Sequence, residues 1–447
     1  MKLTILGGGG FRVPLVYGAL LRDRSERRVD EVSLHDLDPE RLEAIRRVLS
    51  QMAAGSEAAP SVSATTDLDQ ALAGAQFVFS AIRVGGLEGR QVDEHVALDL
   101  GLLGQETTGP GGLAFGLRTV PAAVRIAERV AAVAPQAWVI DFTNPAGMVT
   151  EAMQRVLGDR VVGICDSPVA LARRAARALG LDPAETFADY VGLNHLGWLR
   201  RLTHRGVDVL PALLADDAAL ATVEEARLFG ADWVRALGAL PNEYLYYYYF
   251  AREAVAAVRG EPQTRGDFLA GQQQAFYREV AERPDAALAT WQRVRRERDA
   301  TYMAELREET GTGDRDAADL EGGGYEGVAL GYMAAVMRGE QTSMILNVRN
   351  GSAVPGMPAD AVVEVPCHVD AAGARPLAAD PLSGHQLGLM LQVKAVERLV
   401  IEAALTGDRS VAVQAFALHP LVDSVSLAKK LLDGYVAGSP EIAAVFR

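Results

Sequence analysis

The sequence predicts an α/β protein whose N-terminal part is a parallel sheet with helices on both faces. Three observations indicate this fold class. Strand-like and helix-like runs alternate through residues 1–165, which is the pattern that crossover helices between parallel strands produce. A run of four glycines follows the first predicted strand, at the turn into the first helix. After about residue 168 the alternation gives way to paired strands and long helices, so we expect a mixed α+β architecture there.

The length of the chain indicates two domains, because 447 residues exceed what one hydrophobic core usually supports. We predict a doubly wound domain at residues 1–168 and an α+β domain at residues 169–447. Hydrophobic residues make up 49% and charged residues 23% of the chain. That composition is typical of a folded globular protein and excludes extensive disorder.

The elements of the two predicted domains can be assigned in chain order. Lys2–Leu6 is a predicted strand, and Pro39–Ala53 is a predicted helix because apolar residues recur at helical spacing after a proline start. Further strands of the first domain are predicted at 29–36, 76–82, 137–143 and 160–165, with a crossover helix at 120–133. In the second domain we predict antiparallel strands at 187–195 and 199–210 joined through Gly197, helices to about residue 310, a loop at 311–326, and a strand, turn and strand at 346–369.

Charge and cysteine content narrow the class of function. The net charge is −14, with 58 acidic against 44 basic residues, so no electrostatic footprint for nucleic acid is visible. No run approaches the roughly 20 apolar residues of a membrane span, and the N-terminus lacks a signal-peptide pattern. Cys165 and Cys367 are the two cysteines, which argues against a disulfide framework. We therefore expect a soluble, cytoplasmic protein that acts on a small molecule.

The glycine run indicates a dinucleotide site, where the backbone must approach a pyrophosphate at a helix N-terminus. The third glycine of the usual fingerprint would fall at Arg12, so the motif is incomplete. A carboxylate at the end of the second strand can accept hydrogen bonds from the adenosine ribose and repel a 2′-phosphate, which favours NAD over NADP. The alternative is a merely flexible turn, with Asp36 capping the helix at Pro39. The predicted cofactor-binding residues are Gly7, Gly8, Gly9, Gly10, Phe11 and Asp36.

Several polar residues follow strands that end at the same rim of the predicted sheet. The glycine-rich segment 104–118 is a predicted loop, and Asn144-Pro145 follows the fifth strand. The Asn-Pro pair resembles that of lactate and malate dehydrogenases, where it lies beside nicotinamide and substrate. Cys165 and His195 are each expected at a strand end, so they could form an open divalent-metal site. From spacing alone, an inert buried Cys165 is the competing interpretation.

A cluster of tyrosines offers a candidate base. A tyrosine hydroxyl near a bound cation can be acidic enough to remove a proton. A purely structural aromatic cluster is the alternative. The cluster consists of Tyr244, Tyr246, Tyr247, Tyr248 and Tyr249.

Together these motifs resemble the family 4 glycoside hydrolases, an NAD-dependent group. The resemblance covers nearly the whole chain through RVGGLEGRQVDE, GQETTGPGG, FTNPAGMVTEA, GLNHLGW, PNEYLYYYYF, TRGD and NVRNGSAVPGMPADAVVEVPC. It implies hydrolysis of 6-phospho-β-glucosides with NAD and a divalent metal, typically Mn²⁺. In that family NAD⁺ oxidises the sugar at C3, a tyrosine removes the C2 proton, the C1–O bond eliminates, water adds, and the ketone is reduced again.

The resemblance implies a role for each matching residue. Cys165 and His195 would bind the metal. Tyr244 would be the base, with Tyr246 and Tyr247 as alternatives, and Asp166 would protonate the leaving oxygen. Substrate-binding residues would be Arg90, Asn144 and Arg265.

Two departures from the family pattern bear on specificity. The glycine turn reads GGGGFRVP, without the serine and tyrosine-threonine-proline that usually follow, which weakens the expectation of a 6-phosphate requirement. Asp166 follows Cys165 where β-specific members usually carry asparagine, and this favours the 6-phospho-α-glucosidases. GPGG, FTNPAGMVTEA and the leucine after His195 favour β-specificity, and we give these longer stretches more weight.

Two other functions remain compatible with the same residues. An NAD-dependent sugar or 2-hydroxy-acid dehydrogenase would release a ketone and NADH, and a non-catalytic sensor would bind ligand without turnover. The resemblance also implies a homodimer or homotetramer, for which the apolar stretch 387–405 could supply an interface.

Overall fold

The computed structural model describes residues 1–301 and 324–447. Within those ranges, 13 strands form one sheet. The strands are β1 (Lys2–Leu6), β2 (Glu31–His35), β3 (Ser61–Thr65), β4 (Phe77–Ser80), β5 (Trp138–Asp141), β6 (Val161–Gly163), β7 (Thr186–Leu193), β8 (Leu196–His204), β9 (Val207–Asp208), β10 (Leu240–Pro241), β11 (Thr342–Arg349), β12 (Val362–Asp370) and β13 (Gly373–Pro376).

The N-terminal half of the sheet has the predicted doubly wound topology. Its six strands are parallel and run in the order β3-β2-β1-β4-β5-β6. β2 and β3 lie on one side of β1, and β4, β5 and β6 lie on the other, so the strand order reverses between β1 and β4. Ligands bind beside the carboxyl ends of the strands at such a switch point. This arrangement confirms the predicted fold class.

The sheet continues into the C-terminal half without a break. β11 pairs antiparallel with β6 and with β12, and β12 in turn pairs with β7. β7 and β8 form the predicted antiparallel pair, which β10 extends. The two halves therefore share one sheet, and the domain boundary at residue 168 stays a prediction.

Helices cover both faces of this sheet. The helix Gly384–Thr406 packs against Pro110–Val133 and Arg409–Leu418 in a separate apolar cluster. In chain order the helices are α1 (Val13–Arg22), α2 (Pro39–Ala53), α3 (Leu68–Leu72), α4 (Gly86–Asp99), α5 (Pro110–Val133), α6 (Ala146–Leu157), α7 (Ser167–Ala178), α8 (Leu210–Ala215), α9 (Asp217–Leu220), α10 (Glu224–Phe229), α11 (Ala231–Leu237), α12 (Tyr246–Tyr249), α13 (Ala251–Gly260), α14 (Arg265–Glu282), α15 (Ala287–Ala300), α16 (Tyr325–Arg338), α17 (Gly384–Thr406), α18 (Arg409–Leu418), α19 (Val425–Gly438) and α20 (Pro440–Val445).

The prediction of a loop over 104–118 is wrong for its second half, because α5 begins at Pro110. Proline is favoured in a first helical turn, where its missing N–H costs nothing. The two glycines that follow allow a close approach to the preceding loop. A Cβ at Gly111 would lie 2.2 Å from the Gln105 carbonyl oxygen, and one at Gly112 would lie 2.3 Å from that of Thr107.

Smaller corrections concern strand ends. β6 ends at Gly163 and β7 ends at Leu193, so Cys165 and His195 each lie two residues beyond a strand. The turn between β7 and β8 is at His195, with φ of 63°, and Gly197 lies inside β8. Of the predicted loop at 311–326, residues 311–323 fall outside the described ranges, and Tyr325 begins a helix.

No helix in the described part of the chain is long and apolar enough to cross a membrane.

Helices α4 and α5 are held together by a buried ion pair. Arg118 donates from Nη1 and Nη2 to Asp93 Oδ1 and Oδ2 at 2.7 and 2.6 Å, and both side chains are fully buried. This bidentate contact fixes α4, and with it Arg90, beside the carboxyl ends of the strands.

Candidate active site

A cavity of about 360 Å³ lies at the carboxyl ends of β1, β4, β5 and β6. This is the location expected for a ligand in a doubly wound sheet. It brings together most of the residues that the sequence singles out. The predicted residues that line it are Gly7, Gly10, Phe11, Arg90, Asn144, Cys165, Asp166, His195 and Tyr244.

The glycine turn closes tightly on the neighbouring strand. Gly7 has a φ of +79°, and a Cβ there would lie 2.5 Å from the Ala81 carbonyl oxygen just after β4. Gly10 donates its amide to the Gly7 carbonyl at 2.9 Å. A substituent at Gly7 would therefore be excluded both by conformation and by space. The turn has the close backbone approach that a pyrophosphate site requires.

Asp36 lies at the end of β2 but does not line the main cavity. Its Oδ2 accepts from the Gly9 amide at 3.0 Å, so it joins the strand end to the glycine turn. The alternative that Asp36 caps the following helix is wrong. Asp38 is the N-cap of α2 and accepts from the amides of Glu40 and Arg41.

Residues from the C-terminal half hold the end of the glycine turn. The ring of Phe11 is buried against Phe276 at 5.1 Å, and its carbonyl accepts from Trp291 Nε1 at 2.9 Å. Tyr325 donates its hydroxyl to the Arg12 carbonyl at 3.0 Å. The turn is therefore positioned by both halves of the chain.

Cys165 and His195 meet in this cavity and supply a thiol and an imidazole. Burial raises the pKa of Cys165 well above its ordinary value, and nearby Glu364 and Asp166 add to this. Burial lowers the pKa of His195 to about 4, so the imidazole is neutral at pH 7 and able to ligate a metal. A bound cation would reverse the effect on the thiol, because a coordinated thiol loses its proton.

The donor set fits an open metal site. Among the residues described, no group of three or more His, Cys, Asp and Glu side chains is arranged to hold a metal ion. Cys165 and His195 would thus provide two ligands and leave the other positions to substrate oxygens or water. The residues present are compatible with the predicted divalent cation.

His195 has an unusual backbone conformation, and two contacts orient its ring. Its φ of 63° is unusual for a residue other than glycine. Its ring stacks on that of Tyr244, with centroids 3.7 Å apart and planes 9° apart. Its Nδ1 lies 3.0 Å from Thr107 Oγ1. The imidazole therefore has a fixed orientation in the cavity.

Among the clustered tyrosines, Tyr244 is the one that lines the main cavity. Tyr247 is buried and reaches a neighbouring cavity of about 240 Å³, which Tyr244 also lines. Tyr246 is buried and stacks on Phe250 at 4.9 Å. Tyr249 accepts from Trp198 Nε1 at 2.9 Å. Most of the cluster is thus structural packing around one residue that faces the site.

Arg90 is buried and anchored between two carboxylates. Its Nε lies 2.7 Å from Glu94 Oε1, and its Nη1 lies 2.9 Å from Glu106 Oε1. Burial alone would lower the pKa of Arg90, but the charges of Glu106 and Glu94 outweigh it and raise the pKa. Glu106 also accepts from Arg83 Nη2 at 2.6 Å.

Two further arginines line the site: Arg12, which the sequence marks only as a departure from the glycine fingerprint, and Arg298, which belongs to no motif. Arg12 and Arg298 line both the main cavity and the neighbouring one, together with Arg90. Burial and the adjacent charges of Arg12, Arg265 and Arg90 lower the pKa of Arg298 well below its ordinary value. Its Nη1 is buried and makes no hydrogen bond within the described residues. This arginine cluster (Arg12, Arg90, Arg265 and Arg298) has the charge expected of an anion site.

Arg265 lies in the neighbouring cavity and not in the main one. Its Nη1 donates to Thr301 Oγ1 at 2.6 Å, and its Nη2 donates to the Arg298 carbonyl at 3.0 Å. It therefore supports the end of α15, on which Arg298 stands. Its direct contact with substrate stays a prediction.

The doubly wound sheet, the glycine turn and the adjoining polar cavity define an α/β fold of the dinucleotide-binding class. A malate dehydrogenase from Plasmodium falciparum shares this fold, with a TM-score of 0.51 at 11% identity over 91% of this chain and 99% of that one. The model described as "Family 4 glycosyl hydrolase" matches residues 2–181, and that of the family 4 C-terminal domain matches residues 190–422. The chain belongs to the family 4 glycosyl hydrolases, as the resemblance implied.

Individual relatives include enzymes named for either anomer. A probable 6-phospho-β-glucosidase of Bacillus subtilis is 31% identical, covering 97% of this chain and 95% of that protein. A 6-phospho-α-glucosidase of Leptotrichia buccalis is 28% identical and covers 100% and 99%. The structure of the Thermotoga maritima 6-phospho-β-glucosidase with NAD and glucose-6-phosphate superposes with a TM-score of 0.81 at 26% identity, over 98% of both chains. A 6-phospho-α-glucosidase from gut microorganisms, in complex with NAD and Mn²⁺, gives 0.79 at 27% identity, over 98% of this chain and 97% of that one.

Proposed function

We propose that this protein hydrolyses 6-phospho-β-glucosides by an oxidation, elimination, addition and reduction sequence that uses NAD and a divalent cation, Mn²⁺ for preference. The observation that carries the proposal is one cavity lined by a dinucleotide-type glycine turn, by the Cys165–His195 donor pair and by three members of the arginine cluster, Arg12, Arg90 and Arg298. Relatives over the full length of the chain are named phospho-glucosidases, and structural neighbours contain NAD and Mn²⁺.

Bound NAD⁺ would accept a hydride from C3 of the sugar, and the metal would polarise the oxygens on C2 and C3. The chain itself supplies the remaining parts. Cys165 and His195 hold the metal, and Asn144 and the glycine turn border the same space. Because the oxidation at C3 is reversed at the end, the net reaction is hydrolysis and no NADH accumulates.

Tyr244 is the proposed base for the C2 proton. It lies against His195 and near enough to Arg90 to add to Glu106 and Glu94 in raising the pKa of that arginine. A positive charge beside a phenol favours the phenolate. Tyr246 and Tyr247 remain weaker candidates because both are packed in the aromatic cluster.

Asp166 is the proposed acid for the leaving oxygen. It occupies the N-cap position of α7 without a side-chain capping bond, and it lines the cavity beside Cys165. The arginine cluster is the proposed site for the 6-phosphate, because guanidinium groups pair well with phosphate. Arg90, Arg265 and Asn144 keep their predicted roles in holding the substrate.

Two finer points are also proposed. We expect the enzyme to act in the cytoplasm, since both cysteines are free and buried. We expect a homodimer or homotetramer, and four large apolar side chains on the C-terminal helices are exposed, namely Leu391, Leu405, Leu418 and Val425. Size-exclusion chromatography with light scattering gives the subunit number directly.

The test is hydrolysis of p-nitrophenyl β-glucoside 6-phosphate, compared with its α-anomer and both unphosphorylated sugars, with NAD⁺ and Mn²⁺ under reducing conditions. The proposal requires nitrophenol release without bulk NADH, and loss of release when either cofactor is omitted. Preference for the α-anomer would reassign the specificity. NADH formation from simple sugars without hydrolysis would indicate a dehydrogenase, and ligand-induced stabilisation without any product would indicate a sensor.

A further inference from the structure

The loop before α5 orients the side-chain amide of Gln105. Gln105 Oε1 lies 2.6 Å from the backbone nitrogens of both Thr107 and Thr108. Both of these groups are donors, so only an amide oxygen, and not the NH₂ group, can satisfy them. The backbone therefore fixes which end of the Gln105 amide faces the loop.

The orientation of Gln105 determines the direction of the next hydrogen bond. The Thr107 hydroxyl donates its single hydrogen to Gln105 Oε1 at 3.1 Å. Its oxygen can then only accept from a second partner. That partner is His195 Nδ1, 3.0 Å away and 88 residues later in the chain. In the neutral imidazole, Nδ1 must carry the proton for this contact to be a hydrogen bond.

We infer that Gln105 and Thr107 form a relay that sets the tautomer of His195 and leaves Nε2 as its metal-ligating nitrogen. Thr107 is thus a positioning residue, and the inference rests on the proposed metal site. Metal-binding histidines commonly donate their second ring nitrogen to a fixed acceptor, which sets both ring orientation and ligand basicity. A threonine hydroxyl backed by an oriented amide performs that task here.

The loop packs closely on the start of α5, because a Cβ at Gly111 would lie 2.2 Å from the Gln105 carbonyl oxygen and one at Gly112 would lie 2.3 Å from that of Thr107. The ring of Tyr244 stacks on the ring of His195. Both contacts favour one orientation of the imidazole before any metal arrives.

The chain provides a matched control next to Thr107. Thr108 is 3% exposed, and its Oγ1 makes no hydrogen bond within the described residues. Thr107→Val and Thr108→Val therefore make the same chemical change, but only the first removes the proposed acceptor. Thr107→Ser keeps the hydroxyl and is the conservative variant.

The experiment titrates each purified variant with Mn²⁺ alone and follows free Mn²⁺ by electron paramagnetic resonance. We expect Thr107→Val to weaken Mn²⁺ binding by about 10- to 100-fold, the usual effect of losing such a partner. Thr108→Val and Thr107→Ser should stay within about threefold of the wild type. Equal weakening by both valine variants, or none by Thr107→Val, would overturn the relay while leaving the metal site standing. Absence of Mn²⁺ binding by the wild type would overturn the proposed metal site itself, and the relay with it.

A second measurement is made on the wild-type protein and does not depend on the threonine variants. Long-range ¹H–¹⁵N spectra of metal-free wild-type protein, labelled at histidine, distinguish the two neutral tautomers. The signal of His195 is identified among the seven histidines by its loss in His195→Asn. We expect the pattern of a proton on Nδ1, and a proton on Nε2 would refute the relay.

Discussion

Replacing Arg298 by methionine should separate substrate recognition from stability, because the two effects have opposite signs. The guanidinium stands among Arg12, Arg265 and Arg90, and together with burial they lower its pKa well below its ordinary value. A lowered folded-state pKa means that the fold disfavours the charged form. Arg298→Met removes this unfavourable charge and keeps an apolar stem of similar length, so we expect the unliganded protein to gain roughly 0.5–2 kcal/mol of stability, as is common when a functional group under strain is removed.

The same substitution should weaken recognition of the phosphate. Its Nη1 is buried and makes no hydrogen bond within the described residues, so a phosphate oxygen would gain a charge-assisted partner there. Loss of a hydrogen bond between charged groups costs about 1.5–3 kcal/mol, which corresponds to roughly a 10- to 150-fold loss of kcat/KM. The loss should apply to p-nitrophenyl β-glucoside 6-phosphate and not to the unphosphorylated glucoside.

The assay combines steady-state kinetics on both glucosides with thermal unfolding in the presence and absence of inorganic phosphate. Arg296→Met is the matched control, since Arg296 is exposed on the same helix. It should alter neither quantity. If Arg298→Met lowers Tm without phosphate, the expected relief of an unfavourable charge is wrong; if it keeps the preference for the phosphorylated substrate, the assignment of the arginine cluster as the phosphate site is wrong.

Three further changes test other parts of the site and the fold. Tyr244→Phe should lower kcat by at least about 100-fold while NAD affinity, measured by fluorescence titration, stays the same; normal turnover would move the base to Tyr246 or Tyr247. Asp166→Asn should slow substrates with poor leaving groups much more than nitrophenyl substrates, and equal rates on both would leave Asp166 a structural role. Burial raises the pKa of Asp141 to about 7 from an ordinary 3.8, so its ionisation opposes folding and stability falls as pH rises through that window. In Asp141→Asn, urea unfolding should show a smaller decline between pH 4 and 7, and an unchanged decline would contradict the buried-acid interpretation.

The parallel sheet was predictable because neighbouring residues in the sequence are enough to identify most of its strands. The parallel strands are short apolar runs bounded by turn residues, and Pro39–Ala53 has both a proline start and helical spacing, so its observed bounds equal the predicted ones. β3 was missed because its side chains are mostly exposed and carry no apolar pattern. The start of α5 was missed because its sequence is rich in glycine. Its glycines predict a loop, whereas in the fold they permit a helix to pack on the preceding segment.

Topology predicted a site residue only where that residue follows a strand of the sheet, whereas Arg90, inside α4, was predicted from the family resemblance alone. Asn144, Cys165 and His195 each come shortly after such a strand, so topology alone brings them to one rim. Arg298 follows no strand and has no motif. It reaches the cavity because α15 packs against α2, a contact between segments more than 200 residues apart. Long-range packing of that kind leaves no periodic signal in the sequence.

Arg12 belongs both to the altered glycine turn and to the arginine cluster. It stands where the dinucleotide fingerprint would have its third glycine, and its guanidinium lies over the rings of Phe142 and Tyr325 at 5.8 and 5.5 Å. Those rings are themselves stacked, with centroids 4.0 Å apart. The aromatic pair holds the positive charge towards the cavity that Arg298 also lines. The tight turn is formed by the backbone of Gly7 to Gly10, and the side chain of Arg12 lines both the main cavity and the neighbouring one. The turn therefore lacks the hydroxyl of the family motif but carries a guanidinium in the same segment, which is the kind of group that the proposed phosphate site requires.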